Sequence, residues 1–240
     1  MRNSAYFANG SMKTGNRREM MDTYKKSGKA VIFCWSESDR LPFEISKDDF
    51  IICADSGSDY AARLGISPDL VLGDFDSSSK PGDNSDCKTI VLPAEKDDTD
   101  AMYAARCALA NGYSRIFLAG GLGGRLDHTL GALSVMRFLN KNGAVCEISD
   151  GYTAVFQIPS GRTHMIPYEE NIRYISVFPS EERSSGVNIK GLKYPLNNYE
   201  LRSDFPIGVS NEPIPGTDAE IKAGDGDLIV ILIRKDGEKT

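Results

Sequence analysis

Six short segments constrain the first half of this chain more than any other feature. AVIFC (30–34), FIICA (50–54), LVL (70–72), TIVL (89–92), RIFLA (115–119) and AVCEI (144–148) are each of strand length and apolar nearly throughout. Strands with one wet face alternate apolar and polar residues. Continuous apolar runs suit parallel strands covered on both faces. Helix-forming segments lie between several of them. One covers 58–64 and stops at Gly65. A second covers 99–110, with Asp98 or Thr99 placed to cap its start and Asn111-Gly112 to end it. A third covers 127–140 and ends near Asn142-Gly143. Strand and helix alternating in this way predict an α/β layer fold with a mostly parallel sheet flanked by helices.

The pattern changes after about residue 151. NIRYISVFP (171–179), GVNIKGLKYPL (186–196) and GDLIVILIR (226–234) read as β segments separated by Gly, Pro and Asn turns. No helical pattern remains, which predicts a smaller C-terminal antiparallel β-sandwich domain. The expected division is 29–155 for the α/β unit and 156–240 for the β unit, with the boundary between 150 and 165. Residues 1–28 are polar and basic, without the apolar stretch of a secretory signal, and are expected to form a disordered extension.

Composition removes several functional classes. The chain has 240 residues and a formal net charge of -6, whereas general nucleic-acid binding needs a basic surface. No apolar run approaches the roughly 20 residues that span a bilayer, so no membrane partner is expected. The five cysteines are odd in number and form no CxxC, which predicts free thiols in a reducing, cytoplasmic setting.

In an open parallel sheet, ligands bind beyond the carboxyl ends of the strands. The unusual polar clusters fall there. Asp55, Ser56 and Gly57 follow FIICA; GDFD (73–76) follows LVL; PAEKDDTD (93–100) follows TIVL; GGLGGRLDH (120–128) follows RIFLA. Asp55, Asp74, Asp76, Asp97, Asp98 and Asp100 would therefore meet at one rim. Like charges this close need a cation between them, and Mg²⁺ favours carboxylate oxygens and bridges them to phosphates. The bland alternative is that these are turn and cap residues, and for Asp98 alone it is preferred. Glycines at 120, 121, 123 and 124 either let backbone N–H groups approach a phosphate or form a tight turn with close packing. Arg125 can grip phosphate oxygens in bidentate fashion. Asp127 either caps the helix or contacts the ligand, and His128 is placed at the same site. Lys96 neutralises a phosphate or balances Asp97 and Asp98. His164 reads as structural. Trp35, after the first strand, is expected to pack at the sheet edge with no tie to a ligand.

Five blocks in order give the chain a resemblance. ADSGSDYAARLGISPDLVLGDFDS (54–77), KDDTDAMYAA (96–105), GGLGGRLDHTLGAL (120–133), GLKYPL (191–196) and VSNE (209–212) together resemble the thiamine pyrophosphokinase family. The resemblance covers most of the chain from about 30 to 235. It implies transfer of the pyrophosphoryl group of ATP to the hydroxyl of thiamine, giving thiamine diphosphate and AMP, with Mg²⁺ as cofactor. It implies a nucleotide- and metal-binding α/β domain, a β domain that binds thiamine and dimerises, and a homodimer. It places Asp74, Asp76 and Asp100 as metal ligands. Those three and Asp97 are the catalytic acids, and Asp97 or Asp100 is the candidate proton acceptor. It places Asp55, Lys96, Gly121, Gly123, Arg125, Asp127 and His128 around ATP, and Ser210, Asn211 and Tyr194 near thiamine. Ser56 replaces a commoner glycine, and the first strand ends in CWSESD without a glycine turn. Two rivals remain from the residues alone: another metal-dependent phospho- or nucleotidyltransferase, and a non-catalytic nucleotide or thiamine sensor.

Overall fold

The structure is a computed structural model that describes residues 28–73, 87–92 and 98–235. The expected extension before residue 28 lies outside the described residues. Elements of the first half run β1 (Ala30–Phe33), β2 (Phe50–Ala54), α1 (Gly57–Arg63), β3 (Leu70–Gly73), β4 (Lys88–Val91), α2 (Asp100–Ala110), β5 (Arg115–Ala119), α3 (Leu126–Lys141) and β6 (Val145–Ser149). The second half adds β7 (Thr153–Ile158), β8 (Thr163–Ile166), β9 (Ile172–Pro179), β10 (Arg183–Lys190), β11 (Leu196–Arg202), β12 (Ala219–Lys222) and β13 (Leu228–Arg234).

Among the described residues a nine-stranded sheet in the order β4-β3-β2-β1-β5-β6-β7-β13-β9 carries the molecule. The six strands from β4 to β6 pair in parallel. The chain lays down β2, β3 and β4 on one side of β1, then returns to its other side with β5 and β6. The order therefore reverses between β1 and β5, where the connecting segments diverge and leave a crevice.

The continuous apolar runs do have two covered faces at the centre of the sheet. Ala30 and Ile32 of β1, Phe50 and Ile52 of β2, and Leu70 and Leu72 of β3 pack with Ala104, Ala105 and Ala108 of α2 and Val135, Met136 and Leu139 of α3. Val31, Phe33, Ile51, Cys53 and Val71 point the other way, onto Tyr60 and Ala61 of α1. Fully burying one such Ile, Leu or Phe contributes about 1.5–3 kcal/mol. The expectation fails at the margin. TIVL forms the edge strand β4, whose residues are mostly exposed, and Val145 at the start of β6 is exposed as well. An edge strand has one neighbour, and within this one only Ile90 packs against the helix-covered core.

The β half is a sandwich, but it has no sheet pair of its own. β7, β13 and β9 extend the large sheet by antiparallel pairing. The facing sheet has four strands, β11-β10-β12-β8. Between them lie Ala154, Ile158, Ile175, Val177, Leu228, Val230 and Leu232 from the large sheet, and Val187, Ile189, Leu201 and Ile221 from the small one. Val155 and Ile229 point to the opposite face and belong to the helix-covered core. The three shared strands thus alternate between two cores, as the period of two requires.

Thr99 caps α2, its Oγ1 accepting from the N–H of Met102 at 3.2 Å. All five cysteines are free, and only Cys87 is not fully buried. Burial pushes the thiols of Cys34 and Cys107 up to about 12, and raises those of Cys53 and Cys146 further. His164 on β8 lies with its ring centroid 4.8 Å from that of Phe156, in keeping with a structural role. Among the described residues no helix is long and apolar enough to cross a membrane.

Candidate active site

The carboxyl ends of β2 and β3 bring Asp55 and Gly73 together. Asp55 adopts a left-handed backbone, φ 50°, uncommon for a residue with a side chain though best tolerated by Asp and Asn. Two contacts hold it there. Its N–H donates to the Leu72 carbonyl at 2.8 Å, and its own carbonyl accepts from the Ser58 hydroxyl at 3.1 Å. A Cβ on Gly73 would lie 3.3 Å from the Asp55 Cα, so β3 leaves the sheet against the Asp55 backbone. The Asp55 Oδ1 is buried and accepts no hydrogen bond among the described residues. A buried carboxylate oxygen without a donor is costly, and such an atom calls for an explanation.

Asp100 occupies the first turn of α2, where the helix dipole favours a negative charge. Asp98 is tied to the helix body instead. Its Oδ2 lies 2.9 Å from Nε of Arg106, whose guanidinium covers the Phe138 ring. Asp98 is thus an ion-pair partner of the helix body, whereas the cap preferred for it from the sequence is supplied by Thr99. Asp74, Asp76, Lys96 and Asp97 lie outside the described residues. Among the described residues no group of three or more His, Cys, Asp or Glu side chains is close enough to form a metal cluster.

The turn after β5 uses its glycines mainly for packing. Gly120 donates to the Ser149 carbonyl at 2.8 Å and Gly121 to the Trp35 carbonyl at 2.9 Å. These two N–H groups therefore tie β5 to β6 and to the end of β1. A Cβ on Gly120 would meet the Trp35 carbonyl at 2.8 Å, and one on Gly124 would meet the Trp35 ring at 2.3 Å. Gly123, by contrast, has nothing within 4 Å of where a Cβ would stand. Arg125 and Asp127, at the start of α3, pair with each other in bidentate fashion. Asp127 Oδ1 also accepts the His128 N–H at 3.0 Å. Its carboxylate satisfies one helix-terminal donor without being the N-cap, which is Arg125.

A cleft of about 440 Å³ opens at the reversal between β1 and β5. Trp35 to Asp39 form one wall, Leu122 to Gly124 another, and Asp150 and Tyr152 a third. The expectation that Trp35 packs at a sheet edge is therefore wrong. β1 sits between β2 and β5, and Trp35 lines the cleft at the centre of the sheet. Sequence reading also passed over residues 36–39, Asp150 and Tyr152. The signal was CWSESD following a strand, which gains its meaning only once that strand is known to flank the reversal.

In the β half, Tyr194, Ser210 and Asn211 come together. Asn211 is buried, and its side chain accepts from the N–H of Tyr194 at 3.0 Å and donates to the Tyr194 carbonyl at 2.7 Å. Asn211 also pairs with Ile175 of β9, and the Ser210 N–H donates to the Ser176 hydroxyl at 2.9 Å. Ser210 has a left-handed backbone, φ 56°. The Tyr194 ring is exposed, with the Lys193 ammonium 5.5 Å from its centroid. Asn211 thus fixes the backbone that presents Tyr194.

A family model described as thiamin pyrophosphokinase, catalytic domain, matches residues 42–147, and one described as thiamin pyrophosphokinase, vitamin B1 binding domain, matches 163–228. A thiamine pyrophosphokinase of Bacillus subtilis is 33% identical over 167 residues, which are 68% of this chain and 78% of that protein. A crystal structure of thiamine pyrophosphokinase from the same species superposes with a TM-score of 0.76 at 28% identity, over 86% of this chain and 99% of that one. The corresponding structure from Geobacillus thermodenitrificans gives a TM-score of 0.71 at 27% identity, covering 88% and 99%.

Proposed function

The chain belongs to the thiamine pyrophosphokinase family, and we infer from this that it transfers the pyrophosphoryl group of ATP to the hydroxyl of thiamine. The products are thiamine diphosphate and AMP. The hydroxyl oxygen attacks the β-phosphorus, the bond from that phosphorus to the α-phosphate oxygen breaks, and AMP leaves. The hydroxyl proton passes to a carboxylate, Asp97 or Asp100. Such transfers depend on positioning and on stabilising charge, with little covalent work for the protein.

The buried, undonated Oδ1 of Asp55 at the sheet's C-terminal rim carries the reading for this chain. An all-carboxylate donor set suits a hard divalent cation, so the residues fit Mg²⁺, with Asp74, Asp76 and Asp100 as its ligands and Asp55 beside them. When bound, the ion would supply positive charge that offsets that of the phosphates. Lys96 and Arg125 assist at the phosphates, with Gly121, Gly123, Asp127 and His128 around the nucleotide. The negative rim also attracts the cationic thiazolium of thiamine. Ser210, Asn211 and Tyr194 serve thiamine, Tyr194 as an aromatic wall. The β half further supports a homodimer, since Phe205, Ile207 and Val209 stand exposed close together in sequence. Free buried thiols favour a cytoplasmic setting.

Product analysis tests the reading. With ATP, Mg²⁺ and thiamine, equal AMP and thiamine diphosphate are expected, both abolished by EDTA. ADP with thiamine monophosphate would mean a different transferase on the same site. Full activity and unchanged Mg²⁺ dependence in Asp74→Asn would remove the metal assignment.

A further inference from the structure

We propose that the cleft between β1 and β5 takes the nucleoside end of the phosphoryl donor, and that Trp35 is a specificity-determining residue that packs on the base. This rests on the reaction inferred above and adds where the uncharged part of the donor lies.

The cleft has the size and lining of a small-molecule site. Its volume of about 440 Å³ falls within the usual range for such sites. Trp35 and Tyr152 supply aromatic surface, and Glu37, Asp39 and Asp150 supply acceptors. No lysine, arginine or histidine is among the described residues that line it. A triphosphate would be repelled by three carboxylates without a cation. A nucleoside is neutral, has a flat face for an indole, and carries two ribose hydroxyls that donate to carboxylates.

Position agrees with chemistry. Asp55 and the start of α2 lie on the β2–β3 side of β1, and the cleft lies on its β5–β6 side. Strands are about 4.8 Å apart, so the two places are separated by roughly two or three strand spacings. A donor lying across the carboxyl ends of the sheet would put its phosphates at the acidic rim and its base at Trp35.

The wall is held in place before anything binds. Arg63 Nη2 donates to the Ser36 carbonyl. The Ser38 hydroxyl donates to the Asp150 carbonyl at 2.6 Å, and the Tyr60 hydroxyl to the Arg40 carbonyl at 2.6 Å. Arg40 in turn covers the Tyr152 ring at 3.9 Å, and the Gly121 N–H holds the Trp35 carbonyl. A wall held this way loses little freedom on binding. Residues 35–39 and 150–152 fall outside both segments matched by the family models, 42–147 and 163–228.

Trp35 is the chain's single tryptophan, so its fluorescence reports on the cleft directly. The full chain is titrated, with Mg²⁺ present, against AMP, ATP, inorganic tripolyphosphate and thiamine separately. AMP and ATP are expected to change the emission, and tripolyphosphate and thiamine to leave it unchanged. Trp35→Ala should raise KM for ATP about tenfold, the order of one base–aromatic stack, with KM for thiamine within about twofold. Because Trp35 also packs on Gly124, a donor change serves as a second arm that needs no variant. ATP lacking the 2′- or 3′-hydroxyl should show a raised KM in at least one case. A response to thiamine and not to AMP would overturn the proposal in favour of a thiamine site. So would an unchanged KM for ATP in Trp35→Ala together with silence towards AMP. Thiamine diphosphate made by a protein whose tryptophan ignores nucleotides would sink the cleft assignment alone. A nucleotide response without any thiamine diphosphate would sink the reaction and leave the nucleoside site standing.

Discussion

Arg125 and Asp127 close a two-point ion pair, Nη2 to Oδ2 at 2.6 Å and Nε to Oδ1 at 3.2 Å. The hydrogen bonds from Arg125, with its charge and the His128 N–H, hold the Asp127 carboxyl down to about 2. A depressed carboxyl stabilises the folded form above its usual value, and that contribution is lost as pH falls through the folded value. Both side chains are exposed, so water screens the pair and its share of stability is small. Asp127 is therefore ionised throughout the neutral range. In NMR titration Asp127 should have a midpoint near 2, returning towards 3.8 in Arg125→Leu. A midpoint near 4 in the unaltered protein would show that the pair does not persist in solution.

Asp55 holds a buried carboxylate oxygen that accepts nothing among the described residues. Asn tolerates the same left-handed backbone and lacks the charge, so Asp55→Asn should separate function from stability. Turnover is expected to fall by about 10²-fold, the order seen when one preorganised electrostatic contact is removed. The thermal midpoint should stay the same or rise, since a carboxylate oxygen without a donor is removed. A falling midpoint with full turnover would make Asp55 a structural residue.

Two glycine-to-alanine changes should have opposite signs. At Gly57, the first residue of α1, a Cβ would stand 2.0 Å from the Phe33 carbonyl oxygen, and backbone cannot step aside. Gly57→Ala should destabilise by about 3 kcal/mol, the upper end for overpacking. At Gly131, within α3, a Cβ would meet nothing within 4 Å. Gly131→Ala should stabilise by about 0.5–1 kcal/mol through the lower entropy of the unfolded chain. Urea denaturation of both variants checks the pair of signs.

Cys87 should be the one thiol of five that reacts readily with a disulfide reagent in the native protein. The other four are buried and their thiolates disfavoured by burial. All five should react after denaturation. Two or more fast native thiols would contradict the packing around β1, β2, α2 and β6.

Local elements were legible in the sequence because local chemistry determines them. FIICA and RIFLA give β2 and β5 to the residue, and Thr99 caps α2 as its side chain predicts. What could not be read was neighbourhood. Trp35 follows a strand that looks like any other apolar run. Only pairing with β5 makes it central, and that contact spans more than eighty residues. The glycine turn left open which glycines serve packing, and the structure answers that part. Gly120, Gly121 and Gly124 pack against residues 34–36, and Gly123 faces open space. Asp74, Asp76, Lys96 and Asp97, the residues most strongly marked by the motifs, lie outside the described residues.

β13 is the last of the described elements in chain order, yet it is central to both cores. Ile229 completes the layer under α3, while Leu228, Val230 and Leu232 complete the sandwich. Until that strand is made, β7 lacks the partner on its outer side, and β9 lacks the strand that joins it to the sheet. The nascent α/β half therefore waits with an open sheet edge, and a stop codon placed before Leu228 would cost both halves at once. The two parts of this enzyme are separable by sequence pattern but share one moment of completion.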